Sequence, residues 1–243
     1  MAERLHIGTS GWHYPHWENG VFYPQGLART SQLGFYAQHF ATVELNASFY
    51  HLPGLKTFEG WHEKTPPGFR FAVKASRIIT HVKRLRDCTE SWEKLITAAG
   101  GLKEKLGPIL FQLPPSFEAA PRCLEGFLGI LPAGFRYAIE FRHSSWFCPK
   151  VYEMLRRKGV ALCIPDSPGL HKAMEVTAPF VYLRMHGSSR SRDSNYTDEE
   201  LAEWAGKVRG FLEDELDVYV YFNNDAFGYA LQNAKHLLHV VGA

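Results

Sequence analysis

Close cysteine pairs, long apolar runs and a charge excess of one sign are all missing from this sequence. Four cysteines, Cys88, Cys123, Cys148 and Cys163, stand far apart along the chain, which argues against a disulfide-stapled secreted module and for a reduced, cytoplasmic setting. Nothing at the N-terminus reads as a basic head followed by an apolar stretch. No apolar run reaches the roughly 20 residues that a bilayer-spanning helix needs, so no membrane partner is expected. Lys and Arg number 27 against 25 Asp and Glu, so the overall field cannot grip a polyanion, and binding one would need local clustering. Local catalytic signatures are absent too: there is no Walker phosphate loop, no dinucleotide glycine fingerprint, no His-Glu-x-x-His and no Gly-x-Ser-x-Gly elbow. That counts against cofactor-driven redox chemistry and nucleotide hydrolysis of the P-loop type, and no cofactor is expected.

What is present is an ordinary globular mixture, 45% hydrophobic and 21% charged over 243 residues, close to the length at which an eightfold βα barrel closes. Eight short runs rich in β-branched and aromatic residues recur: Leu5–Thr9, Thr42–Leu45, Phe69–Val73, Ile109–Gln112, Tyr137–Phe141, Val160–Ile164, Phe180–Met185 and Val218–Phe222. Helical patterns lie between them at Ser31–His39, Thr57–Lys64, Glu90–Lys105, Arg122–Leu131, Lys150–Lys158, Asp198–Leu212 and Phe227–Leu238. Asp198 resembles an N-cap, and Pro165–Pro179 offers at most one short turn of helix. The alternation predicts an α/β chain forming a single (β/α)8 TIM-type barrel, one domain over residues 1–243.

Barrel enzymes build their sites where strands run into βα loops. The strand ends here offer Ser10, Gly11 and Trp12; Glu44 and Asn46; Lys74; Gln112; Glu140 and Arg142; Asp166; Arg184 and His186; and Asn223, Asn224 and Asp225. Any one of them could simply satisfy a loop or cap a helix. Their presence at all eight ends is what argues for a site. Lys74, Arg142 and Arg184 are expected to converge as cations, and Glu44, Glu140, Asp166 and Asp225 as anions. Glu140 and Arg142, two apart, share a face, which suits a structural ion pair as well as a functional one. The cations suggest an anionic ligand such as phosphate. The segment His186-Gly187-Ser188-Ser189-Arg190-Ser191-Arg192 reads as an anion-gripping loop, or as a solvated loop carrying Arg for solubility. In Ser10–Trp17, Trp12 is a candidate for stacking on a base or sugar and Trp17 for plugging the barrel; Phe49 and Tyr50 invite the same two readings. A divalent metal could meet Glu44, Glu140, Asp166, His186 and Asp225, but the interleaved cations oppose it and none is assigned.

Several stretches together resemble one family: Ile7-Gly8-Thr9-Ser10-Gly11-Trp12, Glu44-Leu45-Asn46-Ala47-Ser48-Phe49-Tyr50, Phe71-Ala72-Val73-Lys74-Ala75 with Thr80-His81, and Phe111-Gln112-Leu113-Pro114-Pro115. The likeness continues through Ala138-Ile139-Glu140-Phe141-Arg142, Tyr182-Leu183-Arg184-Met185-His186-Gly187 and Tyr221-Phe222-Asn223-Asn224-Asp225. The family is the domain of unknown function 72, also described as YecE-like. The resemblance implies a barrel and no reaction. That barrel has been likened to those of apurinic endonucleases and sugar isomerases, which makes a phosphate-bearing nucleic acid a substrate class by analogy. Those enzymes use clustered His and acidic metal ligands, whereas the strand ends here offer His186 alone as an obvious imidazole.

Three functional readings follow. The first is an enzyme acting on a phosphate-containing substrate, a nucleic acid or nucleotide, by hydrolysis or lyase chemistry. Lys74, Arg142 and Arg184 would hold anionic oxygens, and Glu44 or Glu140, whichever is desolvated enough to be raised in pKa, would be general acid or base. His186 would be proton partner, with Asn46, Gln112, Asn223 and Asn224 orienting the ligand; alternatively Lys74 would form a Schiff base. The second is a non-catalytic protein binding a nucleic acid or small anion with the same mouth. The third is glycoside hydrolysis by two carboxyls about 5 to 10 Å apart. The oligomeric state is left open.

Overall fold

In a computed structural model, which describes residues 2–188 and 194–242, eight parallel strands close in sequence order, the last pairing with the first. They are β1 Leu5–Ser10, β2 Thr42–Leu45, β3 Arg70–Lys74, β4 Leu106–Gln112, β5 Tyr137–Glu140, β6 Val160–Asp166, β7 Phe180–Met185 and β8 Asp217–Phe222. Helices α1 Arg29–Tyr36, α2 Ala47–Tyr50, α3 Leu55–Glu63, α4 Thr89–Ala99, α5 Pro121–Ile130, α6 Pro149–Lys158, α7 Asp198–Glu213 and α8 Tyr229–Gly242 follow in turn. This is the (β/α)8 barrel that the alternating pattern predicts.

Several element boundaries differ from the sequence expectation for identifiable reasons. The run expected to be helical to Lys105 leaves α-geometry at Ala99, where Gly100-Gly101 opens a 3-10 stretch to Lys105. The added Cβ of a residue at Gly101 would lie 2.7 Å from the Leu55 carbonyl oxygen, so this glycine lets the segment press against α3. The N-cap of α7 is Thr197 rather than Asp198: the Thr197 hydroxyl accepts from the Glu200 backbone and the Glu200 carboxylate from the Thr197 backbone, a reciprocal capping box. Phe227 is not the start of α8, since it adopts φ 61° in a 3-10 turn over Ala226–Gly228 that precedes it. Between β6 and β7 the chain forms no helix.

Two apolar layers result from the alternation of strand side chains. Outward residues such as Val43, Phe71, Ile109, Ile139, Leu162, Leu183 and Val220 pack under the helices in the larger cluster. The barrel interior is filled by Ala72, Leu110, Ala138, Ala161, Cys163, Phe180, Tyr182, Tyr219 and Tyr221. Bulky aromatics on β7 and β8 thus face alanines on β3, β5 and β6, as packing to crystal-like density in a closed tube requires. Gly8 is where β1 approaches β2 most tightly, for a Cβ there would stand 2.2 Å from the Thr42 carbonyl oxygen. Because backbone blocks it, Gly8→Ala is expected to destabilise by about 1–3 kcal/mol. Chemical denaturation measures this, and an unchanged midpoint would refute the close-approach argument.

Candidate functional site

The inward phase of each strand continues past the apolar interior into a polar layer at the C-terminal mouth. Ser10, Glu44, Lys74, Gln112, Glu140 and Arg184 each lie two residues beyond an inward-facing residue or pair with one across the sheet. At its centre is Arg184, with a side chain 1% exposed. Its Nε donates to Glu44 Oε2 at 3.0 Å and its Nη2 to Glu44 Oε1 at 2.8 Å, while Nη1 donates to Glu140 Oε2 at 2.7 Å. The bidentate geometry matches a planar fork to a carboxylate. Glu44 also accepts from Ser10 Oγ at 2.7 Å and from the Tyr182 hydroxyl at 2.8 Å. The second Glu140 oxygen is taken by Arg142 Nε.

This arrangement corrects two expectations. Arg184 does not reach for a ligand, because its guanidinium is buried and shared between two carboxylates. Nor is either carboxylate raised in pKa. Burial, the largest single effect, would push both up, but the Arg184 charge, the hydrogen bonds from Arg184 and the neighbouring cations together outweigh it, holding Glu44 below its ordinary value and Glu140, which Arg142 also faces, down to about 2. A carboxylate so acidic is a feeble base and is never the proton donor near neutral pH. Glu44 and Glu140 therefore serve to fix Arg184 and Arg142. The same geometry counts against the glycosidase reading, which needs one carboxyl kept protonated.

His186 is held by Arg142 Nη2, 3.3 Å from its Nε2, and by the Asn223 amide, 3.2 Å from its Nδ1. Since a guanidinium only donates, Nε2 is the acceptor, the ring proton lies on Nδ1, and Asn223 must turn its oxygen to it. Burial, then the Arg184 charge, lowers the His186 pKa to about 4, so the ring is neutral at physiological pH.

Lys74 is different. Its side chain is buried to 9% residual exposure, yet among the described residues its ammonium makes no ion pair and no hydrogen bond; it sits 4.1 Å from the centroid of the Phe49 ring. Burial, followed by the Arg184 charge, brings its pKa from 10.5 to about 8. His81 packs edge-on against Phe49 and is itself lowered by burial and by Lys74. Asn46, in the inward phase two residues past Glu44, has a buried Oδ1 without a hydrogen-bond partner. Gln112 ends β4 beside Glu140 in the sheet register, half-buried.

Other candidates are not part of this cluster. Asp166 is bonded to Lys172 and, at 2.9 Å, to the Trp204 indole, because it is one residue out of phase with the inward Cys163 and Pro165 positions. Asn224, likewise out of phase with Tyr221, donates to the Ser194 carbonyl and to Asn233 of α8. Asp225 binds His16 at 2.7 Å and the Trp17 indole at 3.1 Å, tying the first loop to the last. Trp17 is fully buried, packed against Tyr14, Phe22 and Tyr23 in the outer cluster rather than in the barrel interior. Trp12, expected to stack on a ligand, packs edge-on against Trp61 of α3 at a ring separation of 5.2 Å, and its remaining surface lines a groove shared with Arg29 and Lys64. Of the expected anion-gripping loop, residues 189–193 lie outside the described residues; Ser188 is buried and donates to Glu200 at 2.6 Å.

Sequence reasoning missed Tyr182 and His81 and treated Ser10 and Phe49 only in passing. Tyr182 was findable, being two residues before Arg184 on the same face. Among the described residues no group of three or more His, Cys, Asp or Glu is placed to hold a metal ion, and no helix is long and apolar enough to cross a membrane. A concavity of about 490 Å³ between Cys88, Arg122 and Phe127 is lined by none of these charged groups.

A parallel barrel whose mouth holds a buried Arg, two carboxylates and a lysine without a partner among the described residues is an α/β barrel with a built polar site of undefined chemistry. The chain belongs to the family described as Protein of unknown function DUF72, whose model matches residues 6–243. It is 28% identical to the UPF0759 protein YunF of Bacillus subtilis (strain 168), over 98% of this chain and 94% of that one. It is 34% identical to the UPF0759 protein YecE of Escherichia coli (strain K12), over 70% of this chain and 61% of that protein. A crystal structure of a DUF72 family protein from Thermotoga maritima MSB8 superposes with a TM-score of 0.86 at 32% identity, covering 98% of this chain and 99% of that one. One from Enterococcus faecalis V583, at 21% identity and a TM-score of 0.83 over 98% and 96% of the two chains, shares the fold.

Proposed function

We propose that this protein is an enzyme that holds a phosphate-containing substrate, a small molecule or a nucleic acid, at the barrel mouth and acts on it by hydrolysis or lyase chemistry, with Lys74 as the group that meets the anion. One observation carries the reading. Among the described residues the layer contains three cations, Lys74, Arg142 and Arg184, against two carboxylates, Glu44 and Glu140, with His186 neutral. The carboxylates satisfy the two arginines, and one positive charge, that of Lys74, is left over. A desolvated surplus cation is costly unless it has work to do, and an anionic oxygen is the partner that would relieve it. Arg142, its side chain 20% exposed, adds to the positive field at Lys74. The unpartnered Asn46 oxygen adds an acceptor for a substrate hydroxyl or amide.

Isothermal titration of inorganic phosphate tests the reading. Binding is expected near neutral pH and should weaken about tenfold or more by pH 9.5, because Lys74 loses its charge as the pH rises through about 8 while phosphate stays anionic. Absence of phosphate binding at millimolar concentration, or affinity indifferent to pH across that range, would overturn it. A screen of phosphorylated compounds for turnover then separates an enzyme from the alternative, a non-catalytic protein that binds the same anion with the same residues.

A further inference from the structure

We infer that Lys74 is a Schiff-base lysine, and that the substrate is an aldehyde or ketone carrying a phosphate group close to its carbonyl. The inference rests on the phosphate reading of the mouth and selects, within it, the lyase chemistry.

The geometry supplies what imine formation demands. The amine must be free of a carboxylate, since an ion pair holds it protonated, and both carboxylates of the layer are committed elsewhere: Glu44 to Arg184, Ser10 and Tyr182, and Glu140 to Arg184 and Arg142. The amine must be positioned yet accessible. Lys74 ends β3, its stem is buried, and its Nζ rests on the Phe49 ring at 4.1 Å, a contact that orients the head without consuming a lone pair. Its backbone is pinned as well, the Lys74 carbonyl accepting from Ser48 Oγ at 2.7 Å. A nearly dry setting, with the Arg184 and Arg142 charges, outweighs the opposite pull of Glu44 and Glu140 and favours the neutral amine, so that a substantial fraction is nucleophilic near pH 8. Lys105 is the contrast. It too is buried, but its ammonium donates to the His62 and Thr65 carbonyls, both at 2.6 Å, and has no lone pair to offer.

The step balances without an external oxidant or reductant. The Nζ lone pair attacks the carbonyl carbon, a C–N bond forms, and the carbonyl π electrons move to oxygen, which takes a proton to give a carbinolamine. Loss of water breaks the C–O bond and leaves a protonated imine. That cation accepts the electron pair of an adjacent C–H or C–C bond, whose proton or carbonyl fragment departs, giving a neutral enamine; the enamine takes a proton on carbon to restore the protonated imine, and water hydrolyses it, returning the amine and releasing a carbonyl product. His81, against the same Phe49 ring and kept largely neutral by burial and by Lys74, is placed among the groups that would carry these protons. Imine formation also resolves the electrostatics: the substrate phosphate provides the negative charge that the layer lacks, facing Arg142.

Reductive trapping is the test. The protein is incubated with glyceraldehyde 3-phosphate, glycolaldehyde phosphate or unphosphorylated glyceraldehyde and sodium cyanoborohydride, then read by intact mass and peptide mapping. The expected result is a single adduct at Lys74, formed at least tenfold faster with the phosphorylated compounds and suppressed by inorganic phosphate. Lys74→Arg keeps the charge but cannot form an imine, so it should lose the adduct. Adducts spread over surface lysines with Lys74 unmodified would overturn the inference. If phosphate nonetheless binds with the pH dependence described above, only the imine chemistry fails; if phosphate does not bind either, the reading of the mouth fails with it.

Discussion

Replacing Arg184 with methionine is expected to cost about 3–5 kcal/mol of stability, the range typical of breaking a buried ion pair by removing one partner. Met fills most of the volume, so the loss is electrostatic: Glu44, fully buried, would have no paired cation, and Glu140, equally buried, would keep only Arg142. Neither can remain ionised at no cost, and each would climb in pKa until one or both took up a proton. The variant should therefore lose more stability at pH 8 than at pH 5, and equilibrium denaturation at the two values measures it. Adding Glu44→Gln and Glu140→Gln to Arg184→Met should recover part of the loss, because neutral amides need no counterion, while the 20% exposed Arg142 gives up its carboxylate partner. This triple variant also keeps the idea testable should the single one fail to accumulate. A single variant as stable as the wild type, or a triple variant no better than the single, would show that the Arg184 network is not what supports the mouth.

Lys74→Met is expected to do the opposite to stability. In the folded protein the Lys74 pKa drops from 10.5 to about 8, so between those values the unfolded chain binds more protons than the folded one, and stability rises with pH across that window. Below pH 8 both states carry the charge and the full penalty of holding it in a nearly dry site applies, on the order of 2–3 kcal/mol. Methionine keeps the stem against Phe49 and removes the charge. The melting temperature at pH 7 should rise by roughly 5–10 °C, and the advantage over wild type should vanish by pH 11. Phosphate affinity should fall at least tenfold in the same variant. A group that weakens the fold and supports binding is one retained for function, the usual stability–activity trade-off. Were Lys74→Met to melt lower than the wild type, Lys74 would be a structural residue, and its role at the mouth would have to be abandoned.

Much of the site was legible because strand phase is a local property. Glu44 and Asn46, Ala72 and Lys74, Leu110 and Gln112, Glu140 and Arg142, Tyr182, Arg184 and His186, Tyr221 and Asn223 keep one parity along their strands, the apolar ones and Tyr lining the interior and the polar ones above them the mouth. Asp166 and Asn224 break parity and turn outward, to Trp204 and to Asn233. Applied strictly, that rule would have removed both from the candidates and added Tyr182 beneath Arg184. Trp12 and Asp225 keep the phase but lie beyond the strand ends, where the loop backbone, including Gly11 at φ 97°, re-aims the chain. The bonds between the first and last loops, Asp225 to His16 and Trp17, join positions 209 and 208 residues apart and leave no local trace.

The sequence by itself determined the number and order of strands, the alternation that fills the barrel, and which residues could reach its mouth, because each follows from periodicities of two and of 3.6 residues along neighbouring positions. Only the closed tertiary structure decided what those residues do. On sequence alone Arg184 reads as a ligand contact, but curvature of the sheet brings it to Glu44, 140 residues away, and to Glu140, 44 away. Two carboxylates that read as acid and base become fixed anions. Lys74, one cation among several on paper, becomes the one in the described layer left without a counterion, because pairing depends on distances that no local pattern encodes.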